Sequence, residues 1–344
     1  MGFEMDRQSM RRSLLVVGFG LVTALSYAVA VPFETTERQL QSAINRASEQ
    51  GHVDEVRALR LELARQATLT GYYFDAARQY ELLLATRPGK KERVRLFTEL
   101  GRLRQSTGDY KGAISAYEDA RHDDSRAWQA NLQLAEVYAK VGMYQQSEQV
   151  YLHCLALRPN DVGARDGLGH LYTERGFLKQ AIDIYTETLK HRPTAKTYTG
   201  LSECYWRRNN FSSAIETLEK AKASGIPGDY DTALGFVYRR QGNFSQAAAA
   251  WEKVLWAHPD RVDIKLNLVW VYEPLGRTKD SERLLKELLA AYPQSPLLHF
   301  TQAWISARHG NITAARREAA HVDELSPTDL VKHYNERLIQ EFQK

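Results

Sequence analysis

The sequence predicts an all-α protein: about eight helix–turn–helix units stacked side by side, with an N-terminal apolar helix before them and a C-terminal capping helix after them. Three observations carry this. One residue skeleton recurs down most of the chain at a period of about 34 residues. Glycine and proline fall at fixed places within each period, where helices must stop. No stretch of useful length alternates apolar and polar residues as a half-buried strand would.

In chain order, residues 1–33 come first. Arg7, Arg11 and Arg12 precede a segment without charge from Ser13 to Phe33. Its most apolar part, Leu14 to Leu25, has the length of a signal-peptide core, and Ala28-Val29-Ala30 is a small-x-small pattern suited to cleavage before Val31. The competing reading is an uncleaved anchor, because residues 13–33 as a helix just reach across a hydrocarbon layer of about 30 Å. Both readings leave the positive end inside and carry the body of the chain across. The expected location is therefore extracytoplasmic, either released after cleavage near Ala30 or anchored in the inner membrane of a cell envelope.

A leading segment, residues 34–56, follows, with a helix from Thr35 to Gln50 that Gly51 ends. Residues 57–329 hold the repeated units, which start near Arg57, Val94, Trp128, Val162, Ala195, Gly228, Val262 and Pro296. The sixth is the clearest: Leu234-Gly235, then Tyr238, Gly242, Phe244, Ala247, Trp251 and Pro259. The first glycine and the alanine mark where two helices cross closely. Gly242 ends the first helix, aromatics fill the space between helices, and the proline ends the second. One hairpin cannot bury its own apolar face, so neighbours must stack. Residues 330–344 read as the capping helix, with Leu330, Tyr334, Leu338 and Phe342 facing the last unit.

Composition narrows the chemistry. The chain has 344 residues, 43% apolar and 26% charged, as a folded protein does. A net charge of +4 without a run of five like charges gives no stripe for a nucleic acid, and none is expected as a partner. Cys154 and Cys204 lack metal-ligand spacing and read as buried free thiols. The ten histidines are scattered. His153, His191, His258 and His321 fall near the ends of second helices, where they suit the helix dipole. No phosphate-cradling, nucleophile-elbow or zinc-hydrolase motif occurs. No metal, cofactor or catalytic group is expected. The three sequons, at Asn210, Asn243 and Asn311, follow the mid-unit turn, where asparagine suits a helix N-cap; they matter as glycan acceptors only in a host that glycosylates secreted proteins.

These positions resemble the tetratricopeptide repeat (TPR). The resemblance covers residues 57–329 and rests on units in register, such as Gly101, Gly108 and Tyr117, or Gly169, Tyr172, Gly176, Ala181, Tyr185 and Pro193. Departures are Asn209 in place of glycine, Leu178 and Thr278 in place of the aromatic, Ser125 in place of proline, and Pro274, which should shorten the first helix of the seventh unit. The resemblance implies a right-handed superhelix, or α-solenoid, with the first helix of each pair lining a concave groove.

It also implies which residues face that groove. In the second half these are Trp206, Arg207, Phe236, Arg239, Arg240, Trp270, Phe300, Trp304 and Arg308; earlier units offer Glu136 and Lys140, then Asp166, His170 and Glu174. Aromatics interleaved with arginines suit an extended peptide with acidic or apolar anchors, or sugar rings that stack on them. The plainer reading is packing between helices with solvated arginines. The Lys/Asn clamp by which some TPR proteins hold a C-terminal carboxylate is absent: the matching pairs are Thr98/Arg102, Leu132/Glu136, Asp166/His170 and Thr199/Glu203.

The expected function is a non-enzymatic protein–protein interaction scaffold in cell-envelope assembly or export, with exopolysaccharide secretion as one setting. The alternative is a carbohydrate- or peptide-binding accessory subunit of an envelope enzyme complex. Expected partners are proteins, a polysaccharide under the alternative, and the membrane if residues 1–33 persist.

Overall fold

The computed structural model describes residues 33–325 and 327–341, which form eighteen α-helices and no strand. The signal-or-anchor segment lies outside the described residues except for Phe33. That residue is the first of a helix and is buried, its ring stacked on Tyr72 at 4.3 Å. Among the described residues no helix is long and apolar enough to cross a membrane.

The chain divides into two compact units, one up to Met143 and one from Tyr144. The first holds α1 (Phe33–Glu49), α2 (Val53–Leu69), α3 (Tyr73–Ala85), α4 (Lys90–Ser106), α5 (Tyr110–Asp123) and α6 (Trp128–Lys140). Each helix packs on the next, and α4 also touches α6. The core of this unit is built from Leu63, Ala64 and Ala67 of α2, Ala76, Tyr80 and Leu83 of α3, and Leu96, Leu100 and Leu103 of α4. The first hairpin starts at Val53, four residues before the expected boundary, because Gly51 at φ 72° breaks the chain there.

The second unit holds α7 (Tyr144–Leu157), α8 (Val162–Glu174), α9 (Leu178–His191), α10 (Ala195–Arg207), α11 (Phe211–Ala223) and α12 (Tyr230–Gln241). It continues with α13 (Phe244–Ala257), α14 (Val262–Tyr272), α15 (Thr278–Ala291), α16 (Pro296–Arg308), α17 (Ile312–Glu324) and α18 (Asp329–Glu341). Again each helix packs on its successor, and first helices also meet: α8 on α10, α10 on α12, and α16 on α18. Pro274 has the expected effect, since α14 ends at Tyr272 after 11 residues.

The mid-unit turn shows how few residues set the fold. Gly242 sits at φ 83°, and the next amide, of Asn243, donates back to Tyr238 O at 2.9 Å, closing α12. Asn243 then caps α13, its side-chain oxygen accepting from Gln246 N at 3.3 Å. Asn210 and Asn311 cap α11 and α17 in the same way, and Asn209 takes the glycine's role at φ 58°. Both cysteines are buried, and neither is in a disulfide.

The final helix turns a different face inward from the one its spacing suggests. Leu338 is buried, but Leu330 and Tyr334 are 64% and 48% exposed. The packed face is instead Val331, Asn335, Leu338 and Ile339. The Asn335 amide donates to Ala319 O at 2.8 Å and to Asp323 Oδ1 at 3.2 Å, which fixes the rotation of α18 on α17. Phe342 lies outside the described residues.

Candidate functional site

The groove-facing residues expected from the repeat register separate into three groups. Trp270, Phe300 and Trp304 stand on α14 and α16 and form one aromatic cluster. The ring centroids of Trp270 and Trp304 are 4.6 Å apart, and those of Trp270 and Phe300 are 6.3 Å apart. Phe300 is the innermost, 9% exposed, and joins Ala303, Ala319, Val322 and Leu338 in the terminal core. The two indoles remain half-buried.

Arginines surround this cluster. The Arg308 guanidinium lies over the Trp304 ring at 4.9 Å, one turn on along α16. Arg240 of α12 lies over Trp206 of α10 at 5.0 Å. Arg239 is half-buried, with its Nε shielded from water and unpartnered. Burial, and then the like charge of Arg240, hold the Arg239 pKa below its ordinary value. No carboxylate among the described residues pairs with Arg239, Arg240 or Arg308. Arginines elsewhere in the unit contrast with them: Arg261 is held by Asp229 at 3.0 Å and Asp263 at 2.7 Å, and Arg175 by Glu148 at 2.8 Å.

The remaining candidates are committed to the fold. Arg207 donates to Glu203 at 2.9 Å, to Glu174 at 2.7 Å and to Thr173 O at 3.2 Å, so its charge is already met. Phe236 is 36% exposed, yet its ring meets Trp251 edge-on at 5.2 Å and covers that scaffold indole. Asp166 is buried and accepts from Thr197 Oγ1 at 2.9 Å; burial pushes its carboxyl above the usual range.

Two cavities flank the Trp270–Trp304 pair. One, of about 530 Å³, lies between the pair and α18, and is lined by Leu297, Phe300, Leu330, Tyr334, Arg337, Leu338 and Glu341 as well as Arg239. The other, of about 480 Å³, is lined by Arg239, Arg240, Phe244, Pro274 and Arg308 together with the pair. Beside it, Glu273 braces the turn after α14. Its buried carboxylate accepts from His309 Nε2 at 2.9 Å.

The repeat register missed the wall contributed by α18. Leu330 and Tyr334 carried the signal, being large apolar residues spaced for one helix face, but they read as a buried seam. They are instead the exposed lip of the first cavity. The arrangement can hold a bulky apolar group against aromatic rings and can meet negative charge with guanidinium groups. Among the described residues no His, Cys, Asp and Glu side chains gather as a metal site would require.

Comparison with known proteins agrees with this architecture. Models described as tetratricopeptide repeat match residues 98–162, 167–229 and 238–305, together more than half of the chain. Human protein O-mannosyl-transferase TMTC1 is 22% identical over 205 residues, which is 58% of this chain and 23% of that protein. Anaphase-promoting complex subunit 6 of Arabidopsis thaliana is 26% identical over 163 residues, 45% of this chain and 30% of that protein. The chain thus spans less than a third of the length of either relative. A tetratricopeptide repeat protein of Parabacteroides merdae superposes with a TM-score of 0.57 at 12% identity, over 74% of this chain and 100% of that one. With these models matching over half of its length, and with close helix crossings, left-handed turns and hairpin stacking in its fold, the chain belongs to the tetratricopeptide-repeat family.

Proposed function

We propose that this protein is a non-enzymatic scaffold that holds partner proteins against the face formed by α12, α14, α16 and α18. Tetratricopeptide repeats generally mediate protein–protein interaction. One observation carries the reading to this face: Arg239, Arg240 and Arg308 lack a carboxylate among the described residues, and they surround a partly open aromatic cluster. Arginine and tryptophan are the residue types that concentrate binding energy at protein interfaces. The name of the Arabidopsis relative, a subunit of a multi-protein complex, supports the same role.

The setting we propose is a cell envelope, in assembly or export, with the repeats outside the cytoplasm. The charge pattern of residues 1–33 supports this. The carbohydrate alternative is weaker, because the Trp270 and Trp304 rings lean on each other at 42° and present no single flat platform. Affinity capture from envelope extracts tests the scaffold reading. The chain should recover a defined set of proteins that the Arg240→Gln/Arg308→Gln/Trp304→Ala variant loses. An identical set recovered by both would remove this face from the function. N-terminal sequencing of the mature protein decides between cleavage near Ala30 and retention of the segment.

A further inference from the structure

The two cavities beside Trp270 and Trp304 share residues, and their chemistry differs. Arg239, Trp270 and Trp304 line both, so the cavities adjoin. On the α18 side the lining is mostly apolar, with Arg337 and Glu341 beside it, and Leu297, Leu330 and Tyr334 leave 40%, 64% and 48% of their surface uncovered. On the other side stand Arg239, Arg240 and Arg308. A guanidinium Nε shielded from water without a partner, as in Arg239, is costly unless a ligand supplies the acceptor. The described residues supply none, whereas Arg207, Arg261 and Arg277 are each held by two carboxylates.

We infer that the two cavities form one bipartite site for an extended acidic segment of a partner protein: a bulky apolar side chain fills the cavity against α18, and carboxylates next to it in the segment pair with Arg239, Arg240 and Arg308. In an extended chain, side chains about two residues apart share a face, so anchor and carboxylate can enter adjoining cavities together. Three guanidinium groups on two helices ask for more than a single chain-terminal carboxylate. Guanidinium–carboxylate pairs are charge-assisted and directional, which gives selectivity for acidic segments over neutral ones. A single-stranded nucleic acid fits less well. Its phosphates need cations along a track, and its bases need open rings, but Glu341 and three leucines line the same site and the two indoles cover each other. Helix α18 is therefore one wall of the site as well as a cap.

The inference rests on the reading of this face as an interaction surface, and its test is separate from capture of partners. Fluorescence anisotropy on the full chain compares four labelled probes: the peptide GSDEFDEGS, its anchorless form GSDEADEGS, its neutral form GSNQFNQGS, and an adenosine decamer. The acidic Phe peptide should bind about tenfold tighter than either control peptide, a difference of about 1.4 kcal/mol, and tighter than the oligonucleotide. Arg240→Gln/Arg308→Gln should weaken it about tenfold and leave the neutral peptide unchanged. Tyr334→Ala should narrow the gap between the Phe and Ala peptides. Circular dichroism confirms that both variants, altered at exposed positions, remain helical. Equal binding of the three peptides, or binding of the oligonucleotide alone, overturns the inference. If captured partners still depend on this face while the peptides do not discriminate, the assigned segment chemistry is wrong and the scaffold reading survives. If the peptides discriminate while capture is indifferent to the face, the reverse holds.

Discussion

The indole of Trp251 lies against the bare backbone of Gly235: a Cβ built on Gly235 would stand 2.2 Å from Trp251 Nε1. That nitrogen donates to Thr232 O at 3.2 Å, and the ring is fully buried, so it cannot retreat. Gly235→Ala is therefore expected to destabilise the second unit by about 1–3 kcal/mol, read as a lower midpoint in urea. An unchanged midpoint would mean that α12 and α13 have room to part.

Tyr172 donates to Glu148 at 2.8 Å, and Glu148 also receives Arg175 at 2.8 Å, tying α8 to α7. Burial first, and then the carboxylate, push the Tyr172 phenol up to about 12. An unfolded tyrosine ionises near pH 10. Between about pH 10 and 12 the unfolded chain has lost a proton that the folded one keeps, so this contribution is complete below pH 10 and is lost as pH rises through that window. Tyr172→Phe should lower stability near neutrality by about 1 kcal/mol and show a shallower alkaline decline than the parent. Parallel declines would refute the assignment.

The inward face of α18 can be checked by two substitutions one turn apart. Leu338→Ala removes a buried side chain and should destabilise by about 2–3 kcal/mol. Tyr334→Ala removes a half-exposed one and should stay within about 0.5 kcal/mol. Thermal melts of the two variants give the comparison, and equal losses would restore the seam that the spacing suggests.

Cys204 is fully buried, its sulfur 3.1 Å from Thr173 Oγ1, and burial pushes its thiol up. Reaction with a thiol reagent at mildly alkaline pH should be negligible in the native protein, and denaturation should release both thiols, Cys154 and Cys204. Rapid labelling of the folded chain would contradict this packing.

The repeat units were legible because their constraints act on single residues. Only glycine fits under Trp251, and only glycine or asparagine sits easily at the φ of Gly242 and Asn209. The candidate site was legible in part. Register gives an expected side for each residue of a helix, and Trp270, Trp304, Arg239, Arg240 and Arg308 do gather around two cavities. It does not identify partners, which come from other helices. Arg207 and Arg240 occupy the same register position, two residues after Tyr205 and Tyr238, but Glu174 and Glu203 satisfy one and no carboxylate among the described residues satisfies the other. The rotation of α18 was hidden for a related reason. A buried asparagine counts as polar in a pattern, while its bond to Ala319 O exists only after folding.

Within each unit a helix touches its immediate successors and little else. Contacts are thus short in sequence, and forming them closes only small loops. Such a chain can begin to order at any strong hairpin and grow outward from it. Local damage should correspondingly stay local: a flaw in α12 should speed amide exchange in the helices beside it and leave distant ones protected. Helix α18 is held through few buried residues, Leu338 and Asn335 with Val331 and Ile339 beside them, so the wall it builds is expected to be the first part of the site to open and the last to set.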